Sequence, residues 1–386
     1  MHLTLHLTNR CSLRCTYCYA SPGHADMAMD TVRQAIAWAI QSRSGDASNE
    51  NVGVVFFGGE PLLRRDLVRE TVRHCQSIER TSSVRFHFKM TTNGLHLDDE
   101  FFEAPDTGRV FVALSHDGTK EAHDAHRVDA TGCGSFDRLV PIVRRTLAHR
   151  PNTPSLMVVT PRTVHSYAES VQSLYAAGFR YILATLDHGA AWNEHHVAAL
   201  RAQYTRLSTW YYEAMRREEK FFFSPFEVKI ASHVRPTGVH QERCDLGRRQ
   251  VSVAPDGRLY PCVQFVDQES WCIGNVLGGI DAEARRRIDR TRAKEDETCA
   301  SCAVRLRCNH RCGCVNVRAT GTLSNVPASV CAHERIVLEA ADEVAARLFR
   351  VRDPMFLQKH YNDFYPLVSA VEDATDPSAD GPTDLP

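Results

Sequence analysis

Cys11, Cys15 and Cys18 stand at C-x3-C-x2-C spacing in the stretch Asn9-Arg10-Cys11-Ser12-Leu13-Arg14-Cys15-Thr16-Tyr17-Cys18-Tyr19. Thiolate sulfur is the preferred ligand of iron–sulfur centres, and three thiolates on so short a loop can face one cluster. Three ligands on a four-iron cluster leave one iron open, which is what a catalytic metal site requires. A zinc knuckle, or a set of buried thiols, is the competing reading of that spacing. A second field opens at Cys244 and Cys262, continues as Cys299, Cys302, Cys308 and Cys312 at C-x2-C-x5-C-x3-C, and ends at Cys331, with Cys272 and Cys314 inside it. Cys75 and Cys133 fall between the two fields. Fourteen cysteines in a chain with no export signal argue for metal or redox chemistry in a reducing, cytoplasmic compartment rather than for a disulfide framework.

The elements that must position these residues read as alternating strands and helices over the first two hundred residues, the pattern of a parallel α/β domain. Strands are expected at 2–8, 52–57, 84–90, 110–115, 155–160 and 179–186, and helices near 29–42, 66–80, 135–149, 164–177 and 194–217. Cys75 shares a helical stripe with Val68 and Val72 and reads as core. Six strands with these helices between or after them make an open, barrel-like sheet. His2, Thr4, His6 and Thr8, with Arg85, His87 and Lys89, alternate with apolar residues and are expected to line its lumen. Val251 to Pro261 reads as a hairpin turning at Pro255-Asp256-Gly257.

The bulk numbers bound the partners. With 43% hydrophobic and 24% charged residues the chain is ordinary for a soluble globular protein. A formal net charge of −1 gives no electrostatic case for nucleic acid or an anionic membrane. No apolar run approaches the ~18 residues that span a bilayer. The strand pattern starts at once, so no signal or transit peptide is expected.

C-x3-C-x-(aromatic)-C, with Tyr17 as the aromatic, resembles the signature of the radical AdoMet (radical SAM) superfamily. The resemblance implies a partial (β/α)6 TIM-like barrel. It also implies a 4Fe–4S cluster whose open iron binds S-adenosyl-L-methionine, and a 5′-deoxyadenosyl radical that abstracts hydrogen. Gly58-Gly59-Glu60-Pro61 follows the second strand and is similar to the family motif that holds the AdoMet amino group, glycines allowing close backbone approach. Thr91-Thr92-Asn93-Gly94 resembles the family's T-N-G segment, and Ser115-His116-Asp117-Gly118 through Arg127 resembles a string of the peptide-modifying branch. By that resemblance Asn93, Ser115 and Arg127 are candidates to hold the cofactor, Ser115 and Arg127 at its carboxylate or ribose, and Tyr17 to contact the adenine.

The pattern from Cys244 to Cys331 resembles a SPASM domain, which implies two auxiliary clusters and hence three 4Fe–4S clusters in all. Carried across, Cys244, Cys262 and Cys312 hold the first auxiliary cluster, and Cys299, Cys302, Cys308 and Cys331 the second. Either Cys314 or Cys272 completes the first; the Cys312-x-Cys314 pair is similar to that of quinone-cofactor maturases and favours Cys314. The expected organisation is barrel 1–225, SPASM 226–335, a packing segment 336–370 and a disordered tail 371–386. The implied function is oxidative cross-linking, thioether or carbon–carbon, of a ribosomally made peptide. A reductant such as flavodoxin or ferredoxin is implied as a partner, as is a separate leader-peptide-binding protein. Sulfatase-maturing relatives carry Asp directly after the Gly-x4-Cys cysteine; here that position is Val263, with Asp267 as another carboxylate nearby. A sulfatase-maturase-like enzyme, a small-molecule dehydrogenase and a peptide epimerase are rivals within the family. A non-catalytic zinc or iron–sulfur protein is the rival outside it.

Overall fold

Strict alternation of side chains builds the sheet. In the computed structural model, which describes residues 1–20, 22–42, 51–235, 246–294 and 296–375, six strands run parallel in chain order. They are β1 (His2–His6), β2 (Asn51–Phe57), β3 (Arg85–Thr92), β4 (Val110–Ser115), β5 (Ser155–Val159) and β6 (Tyr181–Leu186). One face of each is buried: Leu3 and Leu5, Val52, Val54 and Phe56, Phe86, Phe88 and Met90, Val110, Val112 and Leu114, Met157 and Val159, and Ile182. The intervening helices set their own apolar stripes into the same core, as Val32, Ala35, Ile36 and Ala39 of Met29–Gln41 do, and as Val68, Val72 and Cys75 of Arg65–Glu79 do. The fold is therefore a partial (β/α)6 barrel, with a loop at the C-terminal end of every strand.

The sheet runs on at both edges. β7 (Phe222–Phe223) pairs parallel to β6, and β8 (Gln250–Val253) pairs parallel to β1. β9 (Arg258–Tyr260) turns back on β8 through the expected hairpin, and β10 (Gly274–Asn275) and β11 (Gly279–Ile280) complete the order β11-β10-β9-β8-β1-β2-β3-β4-β5-β6-β7. The cysteine-rich segment is thus continuous with the barrel sheet.

Register puts His2, Thr4 and His6 on the same face as His87 and Lys89. That face is enclosed only toward the C-terminal end of β1 and just beyond it: Thr4, His6 and Thr8 are buried, whereas His2, Arg85, His87 and Lys89 are exposed. The expected lumen lining is corrected accordingly: the chain from Gln250 to Asp267 adjoins β1, where Gln250 Nε2 donates to Thr4 Oγ1 at 3.3 Å, and among the described residues nothing comparable covers β3.

The helix Ala328–Arg350, which carries the last cysteine of the field, packs on the helices Glu194–Arg216 and Ser224–Val234. The aromatic segment forms Pro354–Tyr361 and Tyr365–Thr375 and packs back on the barrel helices. There Lys359 Nζ reaches Glu227, and Tyr211 OH donates to the same carboxylate at 2.9 Å. The last helix carries five residues into the stretch expected to lack order, and 376–386 lie outside the described residues. Among the described residues no helix is long and apolar enough to cross a membrane.

Candidate functional site

The first cysteine loop leaves β1 at the C-terminal end of the sheet and is stitched to three neighbouring loops. Gly59 N donates to Thr8 O at 2.8 Å and Glu60 N to Arg10 O at 2.9 Å. Gly58 has φ +128°, and a Cβ there would lie 2.4 Å from Thr8 O; a Cβ on Gly59 would lie 2.2 Å from Arg10 O. Both glycines are therefore required for the two loops to meet. On the other side Arg14 N donates to Val128 O at 2.6 Å and Thr16 N to His126 O at 3.1 Å. From β3, Asn93 Nδ2 donates to Ser12 Oγ at 3.1 Å and approaches Cys11 Sγ at 3.8 Å.

Three charged residues of the site, Glu60, Asp117 and Arg127, are buried. Glu60 is fully buried; its carboxylate accepts from Leu62 N, Thr92 Oγ1 and Asn93 N at 3.0, 2.7 and 2.9 Å. Burial pushes its pKa up against those three donors. Arg127 makes a bidentate pair with Asp117, Nε to Oδ2 at 2.9 Å and a terminal nitrogen to Oδ1 at 3.1 Å, both side chains buried. Burial is the largest single influence and opposes both charges, but the ion pair together with the neighbouring groups prevails, holding Asp117 below the usual carboxylate range and Arg127 above its own. Tyr17 OH donates to Asp117 Oδ2 at 2.7 Å, and Arg127 lies 5.4 Å from the Tyr17 ring centroid. Tyr17 and Arg127 are thus joined to each other through Asp117, a residue to which the sequence reading assigned no role. Ser115 ends β4, half-buried.

Cys11 and Cys15 are half-buried and Cys18 is exposed. Burial pushes the Cys11 thiol up and the Cys15 thiol up to about 11, so metal binding here displaces protons. The thirteen described cysteines are all free.

In the second field Cys299, Cys302, Cys308 and Cys331 line one cavity of about 150 Å³, beside His310. These four thiols thus face one common space. Four thiols around one space are a donor set that an iron–sulfur cluster would fit. Cys312 and Cys314 bring their sulfurs to 3.5 Å, whereas Cys272 donates to Gly274 O within its own turn at 3.4 Å. Cys262 is half-buried at the end of the hairpin, and Cys244 lies outside the described residues.

Arg318, on the helix Gly313–Thr320, ties the two fields together: its guanidinium donates to Tyr17 O at 3.0 Å and pairs with Asp187 at 3.1 Å. Val263 and Asp267 face His6, Gly58 and Gly59 across a small pocket. Asp267 holds a left-handed φ of +68° and accepts from Asn9 Nδ2 at 3.0 Å. Asp117, Arg318 and these cross-loop contacts were invisible as a set, because each joins residues at least a hundred positions apart or pairs two ordinary polar side chains.

The family model of the Radical SAM superfamily matches residues 5–183, and that of the SPASM iron–sulfur cluster-binding domain matches 244–303. A cysteine-type anaerobic sulfatase-maturating enzyme of Clostridium perfringens is 22% identical over 280 residues, 69% of this chain and 74% of the relative. Its Clostridium novyi counterpart is 25% identical over 45% of this chain, a match spanning about half (48%) of that relative. A PqqA peptide cyclase of Bradyrhizobium diazoefficiens is 25% identical over 88% of this chain and 89% of its own length. Among solved structures, native anSMEcpe with bound AdoMet superposes with a TM-score of 0.76 at 17% identity, covering 92% of this chain and 99% of that one. Streptococcus suis SuiB bound to its precursor peptide SuiA gives 0.57 at 15%, over 86% and 75%. At these identities the structural likeness establishes the fold.

Proposed function

We propose that this chain, in which a domain of the Radical SAM superfamily is joined to a SPASM iron–sulfur cluster-binding domain, modifies a ribosomally made peptide by installing an oxidative thioether or carbon–carbon cross-link. The observation that carries the reading is the first cysteine loop, held by backbone and side-chain contacts to the Gly-Gly-Glu and Thr-Asn-Gly loops at the C-terminal ends of β2 and β3. Ligand sites of parallel α/β sheets lie at that end.

When bound, AdoMet and a reduced 4Fe–4S cluster supply a carbon radical that removes hydrogen from an unactivated C–H bond. The chain's part is to hold and orient. Cys11, Cys15 and Cys18 supply three thiolates, and Asn93 puts its amide beside Cys11. Gly58 and Gly59 bring backbone within reach of the cofactor's amino group, and Ser115 offers a hydroxyl from β4. Asp117 and Arg127 act one layer behind, fixing Tyr17 by a hydrogen bond and a cation–π contact. Cys299, Cys302, Cys308 and Cys331 hold one auxiliary cluster. Cys244, Cys262, Cys312 and Cys314 hold the other, a choice the 3.5 Å sulfur separation supports over Cys272. Four protein thiolates there favour electron acceptance over substrate ligation. A peptide substrate agrees with the peptide named for the PqqA relative.

The sulfatase-maturating relatives favour a second reading, oxidation of a protein cysteine or serine. Val263 offers no base for it, but Asp267 faces the same pocket four residues on.

Anaerobic reconstitution tests the chemistry. Brown protein containing iron for three clusters should convert AdoMet to 5′-deoxyadenosine with dithionite, and Cys11/Cys15/Cys18→Ala should not. Zinc-containing, colourless protein without cleavage would refute it. Co-expression with short peptides encoded beside the gene, read by mass spectrometry, separates a two-unit mass loss (cross-link) from deuterium gain in heavy water (epimerisation) and from aldehyde formation.

A further inference from the structure

The cavity bounded by Cys299, Cys302, Cys308 and Cys331 has charged groups in its wall that none of the chemistry above uses. Glu334, 5% exposed, lines it from the helix that also bears Cys331. Its Oε2 accepts from Lys229 Nζ at 2.5 Å and from Asn309 N, the residue after Cys308, at 3.1 Å. Lys229 is 7% exposed and belongs to the barrel helix Ser224–Val234; its ammonium also donates to Arg307 O at 2.9 Å. Arg307 is clamped in turn, donating to Lys229 O and Ser232 Oγ and pairing with Asp342 at 2.6 Å. The loop carrying Cys308 is therefore fixed between a barrel helix and the Cys331 helix by a buried ion pair against the cavity. Arg335, at the same wall, approaches Cys302 Sγ with a terminal nitrogen at 3.7 Å.

Burying a lysine–glutamate pair costs desolvation that a hydrophobic pair of similar volume would avoid, so its presence needs a reason beyond stability. Fixed charges in a low-dielectric wall act strongly on a centre whose own charge changes, and groups around metal ligands tune the metal. We propose that Lys229, Glu334 and Arg335 are positioning residues that set the reduction potential of the centre held by Cys299, Cys302, Cys308 and Cys331. This rests on the reading of that cavity as an iron–sulfur site. Adding an electron to the centre is opposed by Glu334 and favoured by Lys229 and Arg335. Lys229 makes the potential depend on the barrel as well as on the cysteine-rich domain.

The test is an EPR-monitored redox titration of anaerobically reconstituted full-length protein in the Cys11/Cys15/Cys18→Ala background, with the wave lost on Cys331→Ser assigned to this centre. Glu334→Gln should raise its potential and Lys229→Met should lower it. The double variant, with both charges gone, should return close to the parent. Arg335→Gln should lower it by less, since that side chain is exposed. A purely structural role would change iron content without these signs and without recovery in the double variant. Should Lys229→Met fail to fold, the opposite shifts of Glu334→Gln and Arg335→Gln still decide. Shifts of one sign in both, or none with iron fully loaded, would overturn the inference alone. Zinc in place of iron in the parent would overturn the cluster reading and this inference with it.

Discussion

Replacing Gly59 with alanine sets a methyl group 2.2 Å from the Arg10 carbonyl oxygen, backbone that cannot swing away as a side chain tip would. The loops of β1 and β2 must then part, at a cost of about 1–3 kcal/mol. Because that junction precedes Cys11 by one residue, Gly59→Ala should lose AdoMet binding, measured by equilibrium dialysis, while iron in the second cysteine field is kept. Arg127 is read the same way, through its neighbour. Arg127→Met leaves the Asp117 carboxylate buried without its counter-charge, held only by Tyr17 OH and Val158 N, and removing one partner of a buried ion pair costs about 3–5 kcal/mol. The double variant Asp117→Asn with Arg127→Met should recover part of that loss in denaturant unfolding. Arg127→Lys should not restore the wild-type stability, since an ammonium cannot make the bidentate contact.

At the scale of elements, the helix Gly313–Thr320 meets the first cysteine loop through Arg318, whose bonds to Tyr17 O and Asp187 cross from one domain to the other. Arg318→Ala should leave the iron content of all sites unchanged, yet raise hydrogen exchange in residues 11–20 at a cost of about 1 kcal/mol. The strands themselves could be read from sequence, since Arg85-Phe86-His87-Phe88-Lys89-Met90 alternates as a half-buried strand must, and β3 follows it. The helical stripes were equally legible, and so was the hairpin, because these are local spacings; the division of the cysteines into sets came from the family resemblance. What escaped were contacts set by distance in the chain. The parallel pairing of β8 with β1 joins residues nearly 250 positions apart, and no local pattern announces a partner so remote. For the same reason Asp117 escaped notice as the partner of Arg127: a guanidinium suits a cofactor carboxylate or a buried aspartate equally, and only the fold brings Asp117 to it. The exposed row of Arg85, His87 and Lys89 followed the predicted face but not the predicted enclosure, which depends on what covers the sheet.

Across the whole molecule, acid should loosen the barrel well before its carboxylates protonate. Six histidines are buried among the described residues, and four of them carry the argument: His6 at the end of β1, His116 and His123 beyond β4, and His360 on the C-terminal segment. Burial dominates in each, lowering His6 to about 3, His116 to about 4, His123 to about 2 and His360 to about 4. An imidazole in the unfolded chain takes a proton near pH ~6.5. Between that pH and about 4 the unfolded chain therefore binds more protons than the native one, and stability falls as pH falls. The stability these groups carry is fully present above ~6.5 and is withdrawn at about 1.4 kcal/mol per pH unit for each proton taken up. Glu60 runs the other way: its raised pKa adds stability below its ordinary value, lost as pH rises through the folded one, but it is one group against four. Asp117, held low by Arg127, loses its contribution only at more acid pH. Urea unfolding of the chelated chain, followed by tryptophan fluorescence between pH 7.5 and 4, should show a midpoint that declines from about 6.5 downward. His6→Gln should flatten that slope by about one proton. A midpoint level to pH 4.5 and falling only below it would assign the acid sensitivity to carboxylates and refute the histidine account.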